Sequence, residues 1–429
     1  MSNLSSSPSS KSWYQSTPVY YGWVVVAASF FANLIATGVQ LWALTVMTVP
    51  MLQDLVDWQR GDIFGAFALR SIITAILTPF VGRYLDRRYG AQILLVIGAV
   101  IGGGSTIATS TVQDPWQFML WFGLLGGISG PGAAYIVSSA IVPKWFISKR
   151  GKALALSTMG TGMAALVMPL AVAFALSIFG WRDTWILLGI ATIVITIPMA
   201  FLIRRQPEDV GLLPDGVQGN ALSVVNSVDF PPNITAKKAI RSHKTWLMAL
   251  ATMLASMPLL GVPTNMVPML QDRGMTLEEA TLALTTYGLF SVLARFGWGT
   301  LADKRDVRLA LMLLGIYGMV TTFMFVIAGT AFYFLFILAA CTGFAVGGAV
   351  VLNPMLFPTY LGRRHIGEIM GYVSPLVAVG ASMGPLLMAK VFDWTGSYEI
   401  GLLVLAGSWS MSALSIFLVG PPPKKQTFP

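Results

Sequence analysis

Arg70 and Arg295 lie inside apolar stretches of membrane-spanning length that contain no mid-segment Asp or Glu. A charge at bilayer depth costs ~2.5–3.5 kcal/mol on insertion scales, so it normally faces a protein interior or a watery cavity and has a partner there. The chain offers no acidic side chain at that depth, so the missing negative charge is expected to be cargo. A guanidinium presents a planar fork of donors that takes a carboxylate or another oxyanion in bidentate fashion. Arg70 precedes Gly82 by twelve residues, about 18 Å at 1.5 Å per residue, which puts it near the bilayer middle. Arg295 precedes Gly299 by four residues, about 6 Å, within snorkelling reach of the surface. The competing role for either is structural, bonded to carbonyls of a neighbouring helix.

Neutral polar residues at depth are the next candidates. Ser291 sits one turn from Arg295 on the same helix face, with Tyr287 and Gly288 a turn further. Asn33, Thr37, Gln40, Tyr135, Asn265, Asn353 and Tyr372 are also placed within apolar stretches. Each needs a hydrogen bond when buried, and bonding between helices meets that need as well as a substrate does. Tyr135, Asn265, Asn353, Ser291 and Tyr372 are the expected site residues beside the two arginines. Asn265 stands among Pro258, Pro263 and Pro268, where a broken helix opens backbone groups to a cavity. No metal-ligand cluster and no nucleophile–base pair is visible, and His243 and His365 both fall in connections. Neither an enzyme nor a bound metal or cofactor is expected. The glycine clusters at 123–132 and 343–348 follow no strand and precede no Walker-type lysine, so they read as close helix packing rather than nucleotide binding.

These side chains must be positioned by membrane helices. The chain has 429 residues, 55% hydrophobic and 10% charged, with a mean hydropathy of +0.72; soluble domains carry about 25% charged residues. Twelve apolar segments stand near 20–42, 62–82, 92–112, 117–141, 153–178, 184–203, 244–268, 278–300, 308–328, 332–356, 368–392 and 399–419. Each is long enough for the ~17–25 residues that cross ~30 Å of hydrocarbon, and none shows the alternation of barrel strands. The expected fold is an all-α membrane protein of twelve transmembrane helices in two six-helix halves.

Of 27 Lys and Arg, 21 fall on one side of such a topology, and only Arg60, Arg182, Arg273 and Lys390 on the other. The rich side is then cytoplasmic, with both termini there. This accounts for the net charge of +9 without nucleic acid. The first apolar run is too long for a cleaved signal and is read as a retained helix. The lone Cys341 allows no intrachain disulfide. The expected layout is a tail at 1–19, a half at 20–203, a linker at 204–243, a half at 244–419 and a tail at 420–429, in a monomer of the inner or plasma membrane.

The halves repeat. Gly82 to Arg88 reads GRYLDRR and Gly299 to Arg305 reads GTLADKR, 217 positions apart; Lys149-Arg150 and Arg363-Arg364 stand 214 apart. Two landmarks at nearly one offset indicate an internal duplication, one of the known transporter architectures, with substrate bound near mid-membrane between the halves.

At these loops the chain resembles the major facilitator superfamily. The pattern Gly82-x-x-x-Asp86-Arg87 and its counterpart Gly299-x-x-x-Asp303-Lys304 resemble that superfamily's cytoplasmic gating motif; here Gly90 stands one position later than usual. Within it, the chain resembles the bacterial side of the monocarboxylate porter group: Tyr21-Gly22-Trp23, Lys144-Trp145-Phe146 through Ala153, Gly180-Trp181-Arg182, Pro207-Glu208-Asp209 through Gly216, Gly384-Pro385, and Asp393-x-Thr395-Gly396-x-Tyr398. The resemblance implies carboxylate binding by Arg295, four residues before the motif glycine. The group's aspartate a turn earlier is Ser291 here, and its helix-one lysine is absent near Leu41 and Trp42. The implied function is transport of a small organic anion, most simply a monocarboxylate, by alternating access, with protons as a candidate co-substrate. Exchange or facilitated diffusion suits the lack of a mid-membrane carboxylate or histidine. An inorganic oxyanion such as nitrate, a dicarboxylate exchanger, and a transporter-like sensor are the alternatives.

Overall fold

The computed structural model describes residues 20–85, 87–130, 134–146, 149–214, 236–304, 306–361 and 366–421. Among them, nine helices are long and apolar enough to cross a membrane. One of the nine, Lys152–Leu202, has 51 residues and is broken at Gly180, whose φ of 74° turns the chain there. Of the expected segments, 117–141 contains residues outside the described set, and 278–300 forms a helix that is less apolar than the rest. The first half comprises α1 (Tyr21–Asp54), α2 (Arg60–Leu85), α3 (Gly90–Ala108), α4 in two described pieces (115–129 and Ala134–Trp145), α5 (150–179) and α6 (181–202). The second comprises α7 (His243–Thr264, resumed as Met266–Asp272), α8 (Leu277–Lys304), α9 (Val307–Ile327), α10 (Phe332–Leu361), α11 (Ile366–Thr395) and α12 (Glu399–Val419). Several helices outrun their apolar stretches, because hydropathy marks only the hydrocarbon layer while the backbone bonds continue past it.

The duplication read from the loops reappears in the packing. α1 lies on α5 and α7 on α11; α2 lies on α4 and α8 on α10; α3 lies on α6 and α9 on α12. The halves meet along α2 against α11 and α5 against α8. Small residues allow these approaches. A β-carbon at Gly343 or Gly347 of α10 would strike the carbonyl oxygens of Tyr287 and Ser291 on α8, and one at Gly384 of α11 would strike that of Met257 on α7. The outer surface exposes Phe174, Val194, Ile327 and Phe417, each more than half accessible, as a lipid-facing surface requires.

Two helices are widened locally. Gly38–Trp42 in α1 and Met119–Leu125 in α4 are π-helical. Such widened turns re-aim the side chains beside them and recur at functional sites; here both flank Arg70.

Candidate functional site

Arg70 stands at mid-length in α2 and is 4% exposed. Its guanidinium lies 4.8 Å from the centre of the Phe122 ring, which belongs to the π-helical turn of α4. A turn further, a β-carbon at Gly126 would come within 2.8 Å of its Nη1. The ring covers one face and the glycine makes room for the fork. Among the described residues no carboxylate pairs with Arg70 and no hydrogen bond engages it. Arg70 faces a cavity of about 730 Å³ between the halves. Thr37, Gln40 and Leu41 of α1 line it, as do Phe67, Ser71, Thr74, Ala75 and Thr78 of α2. From the second half come Leu260 of α7 and Met370, Ser374, Pro375, Ala378 and Ala381 of α11. Arg70 is the one charged side chain among these. Behind it, inside the first half, a gap of about 20 Å³ is lined by Gln40, Thr106, Ser129 and Thr196, room for about one water.

The cavity extends along α2 and α11 toward the basic loops and is shut at the opposite end. There Arg60, 7% exposed at the start of α2, grips Asp272 at the end of α7: Nη1 lies 2.6 Å from one carboxylate oxygen and Nη2 2.8 Å from the other. Arg60 also donates to the Tyr398 hydroxyl and stacks 4.0 Å from the Phe392 ring centre. Burial pushes the Tyr398 phenol well above its ordinary range, so it stays protonated. Asp393 of α11 accepts the backbone N–H groups of Arg60 at 3.1 Å and Gly61 at 2.7 Å, capping the first turn of α2 from the other half. The four basic residues assigned to the basic-poor side all sit at this end: Arg182 pairs with Asp54, Arg273 donates to the Phe325 carbonyl at 2.7 Å, and Lys390 stands 4.0 Å from Asp393.

The other expected site residues are distributed differently. Arg295 is half-buried where α8 meets α5, its Nη2 2.8 Å from a β-carbon position at Gly162. It does not line the large cavity, so the two arginines do not share it. Ser291 is buried against Gly343 and Gly347 of α10. Asn265 is fully buried at the break in α7, its amide donating to the carbonyls of Gly261 at 3.0 Å and Pro385 at 3.3 Å; it ties α7 to α11. Asn353 lines a gap of about 10 Å³ with Thr252, Trp409 and Ser412, within the second half. Tyr372 is 56% exposed and does not line the cavity. Asn33 donates to Ser138 and to the Ser157 carbonyl, a tie between helices. Of the gating residues, Arg87 is exposed over the Tyr84 ring, and a β-carbon at Gly299 of α8 would stand in ordinary contact with Val351, 3.9 Å away. Asp86 lies outside the described residues, as do the side-chain surroundings of Tyr135, Gly82, Asp303 and Lys304.

Sequence reasoning missed the Arg60 clasp. Its signal was available: Arg60 is one of few basic residues on the basic-poor side, and Asp393 and Tyr398 belong to one conspicuous motif.

The Major Facilitator Superfamily profile matches residues 26–384 and 248–429. Monocarboxylate transporter 11 of Mus musculus is 25% identical over 407 residues, 93% of this chain and 87% of its own. The oxalate:formate antiporter of Oxalobacter formigenes is 23% identical over 410 residues, 94% of this chain and 93% of its own. A bacterial homologue of the human lysosomal transporter Spinster, solved in an inward-facing and occupied conformation, superposes with a TM-score of 0.65 at 14% identity, covering 94% of this chain and 97% of that one.

Proposed function

The chain belongs to the Major Facilitator Superfamily, and from that premise we propose that it carries a small organic anion, a monocarboxylate, by alternating access. One observation carries the reading: Arg70 is a buried mid-helix cation, without a carboxylate partner among the described residues, on the wall of a cavity between the halves. The substrate carboxylate would occupy its fork, and the low-dielectric surroundings would strengthen that bond. Its name places the relative from Oxalobacter among anion exchangers, and mouse monocarboxylate transporter 11 bears the corresponding substrate class in its own.

The described state has its Arg60 end shut and its basic-loop end hollow. With the basic loops cytoplasmic, this is an inward-facing state. Outward opening then requires Arg60 and the N-terminus of α2 to leave Asp272, Tyr398 and Asp393. Among the described residues no carboxylate or histidine lines the cavity, which supports exchange or uniport over coupling through a protein-borne proton. Arg295, Ser291, Asn265, Asn353 and Tyr372 stay outside the proposed binding shell in this state, and Gln40 joins Arg70 within it.

Uptake of labelled butyrate into proteoliposomes tests the proposal. Saturable uptake, competed by other monocarboxylates and not by sugars, is expected. Binding of sugars alone would overturn the anion reading.

A further inference from the structure

We infer that the cavity selects an amphipathic monoanion, with one carboxylate on the α1–α2 wall and an apolar body of several carbons on the α7–α11 wall. The inference rests on the transport reading of this cavity. Its two walls differ in kind. Among the described residues, Thr37, Gln40, Arg70, Ser71, Thr74 and Thr78 give the first half's wall its charge and all of the cavity's hydrogen-bonding side chains but one, beside the apolar Leu41, Phe67 and Ala75. The second half contributes Leu260, Met370, Pro375, Ala378 and Ala381, with Ser374 alone among them polar.

Among the described residues, the polar wall has a single strong anion locus, Arg70. Three of its hydroxyl protons are already committed to helix carbonyls: Ser71 donates to Phe67 at 3.0 Å, Thr74 to Gly127 at 3.0 Å and Thr78 to Thr74 at 2.7 Å. Those oxygens offer lone pairs to the cavity, which suit a donor and repel a second carboxylate. A dianion reaching across would set its other charge against alanine, proline, methionine and leucine, where desolvation goes uncompensated. Size points the same way. A cavity of about 730 Å³ falls within the ~300–1,000 Å³ of sites for drug-sized molecules, and a two-carbon anion would leave the apolar wall wet. Each methylene laid against that wall is expected to tighten binding by about fourfold.

The test is calorimetric titration of the purified full chain with acetate, butyrate, hexanoate, benzoate, oxalate and succinate. The expected result is a Kd falling about fourfold per methylene along the straight-chain series, with benzoate among the tight ligands. Succinate, matched to butyrate in carbon number, should bind at least about tenfold more weakly. Flat affinities from acetate to hexanoate, or succinate and oxalate equal to butyrate, would overturn the inference while leaving the anion site standing. Failure of every anion to bind would remove the transport reading and this inference with it. Ala378→Leu, which fills part of the apolar wall, should weaken hexanoate and benzoate by about tenfold more than it weakens acetate; equal loss for all three would count against the assignment. The unmodified chain's series decides the matter on its own if that variant does not fold.

Discussion

Arg60 of α2 holds Asp272 of α7 through both carboxylate oxygens, at 2.6 and 2.8 Å, and so ties one six-helix half to the other. Arg60 is almost fully buried, whereas the Asp272 side chain keeps about a third of its surface in solvent. Removing the charge from Asp272 leaves a buried guanidinium short of its partner, worth ~2 kcal/mol for hydrogen bonds to a charged group. Asp272→Asn is expected to raise the outward-to-inward ratio by roughly thirtyfold. Spin labels at Val56 and Trp394, both highly exposed at the clasp end, should report longer distances in the variant. An unchanged distance distribution would show that the pair does not govern closure.

Asp393 acts on the same contact by a different route, capping the first turn of α2 across the interface. Loss of such a cap costs ~1 kcal/mol. Because both carboxylates converge on Arg60 and its peptide, Asp272→Asn and Asp393→Asn should not add. A double-mutant cycle read by the same label distances is expected to show a coupling of ~0.5–3 kcal/mol. Strict additivity would mean that two separate contacts exist where one cluster is described.

The six-helix halves were legible in the sequence because hydrocarbon forces one answer: long apolar runs, helical and internally bonded. The repeated GRYLDRR and GTLADKR loops exposed the duplication before any packing was visible. Arg70 was legible for the same reason, since a mid-span cation stands out against lipid. Ala75, Ala378 and Ala381 were not, because a cavity-lining alanine has the sequence appearance of any packing alanine. Asn265 and Asn353 both looked available for substrate, Asn265 the more so among its prolines, and the structure uses Asn265 to hold α11 and sets Asn353 beside a small gap within the second half. The π-helical turns at Gly38–Trp42 and Met119–Leu125 carry no composition signal, yet they set Gln40 and Phe122 beside Arg70.

Phe122 is expected to hold the Arg70 fork in position. A desolvated cation–π contact is worth about 1–2 kcal/mol. Phe122→Ala should weaken carboxylate binding by about tenfold, and Phe122→Tyr should restore most of it. Titration of butyrate into each variant checks this; equal affinities for wild type and Phe122→Ala would assign the ring to packing alone.

Glycine contacts separate site from scaffold. A β-carbon at Gly126 meets Arg70 Nη1, the movable end of a side chain, whereas one at Gly384 meets the backbone of Met257. Gly126→Ala should therefore keep its thermal stability within ~1 kcal/mol and lose anion affinity. Gly384→Ala should lose ~1–3 kcal/mol of stability, as overpacking does. Paired thermal unfolding and butyrate titration distinguish the two, and a stable Gly384→Ala would contradict the close helix packing.

The central claim is that Arg70 receives the substrate's charge. The direct measurement is butyrate binding and uptake by Arg70→Gln, alongside its unfolding temperature. Removing a buried cation that no carboxylate of the described chain neutralises should leave stability unchanged or raised, while binding weakens by ~2–4 kcal/mol, about thirtyfold to a thousandfold, and uptake disappears. Arg70→Gln that binds and transports butyrate as wild type does would contradict the account.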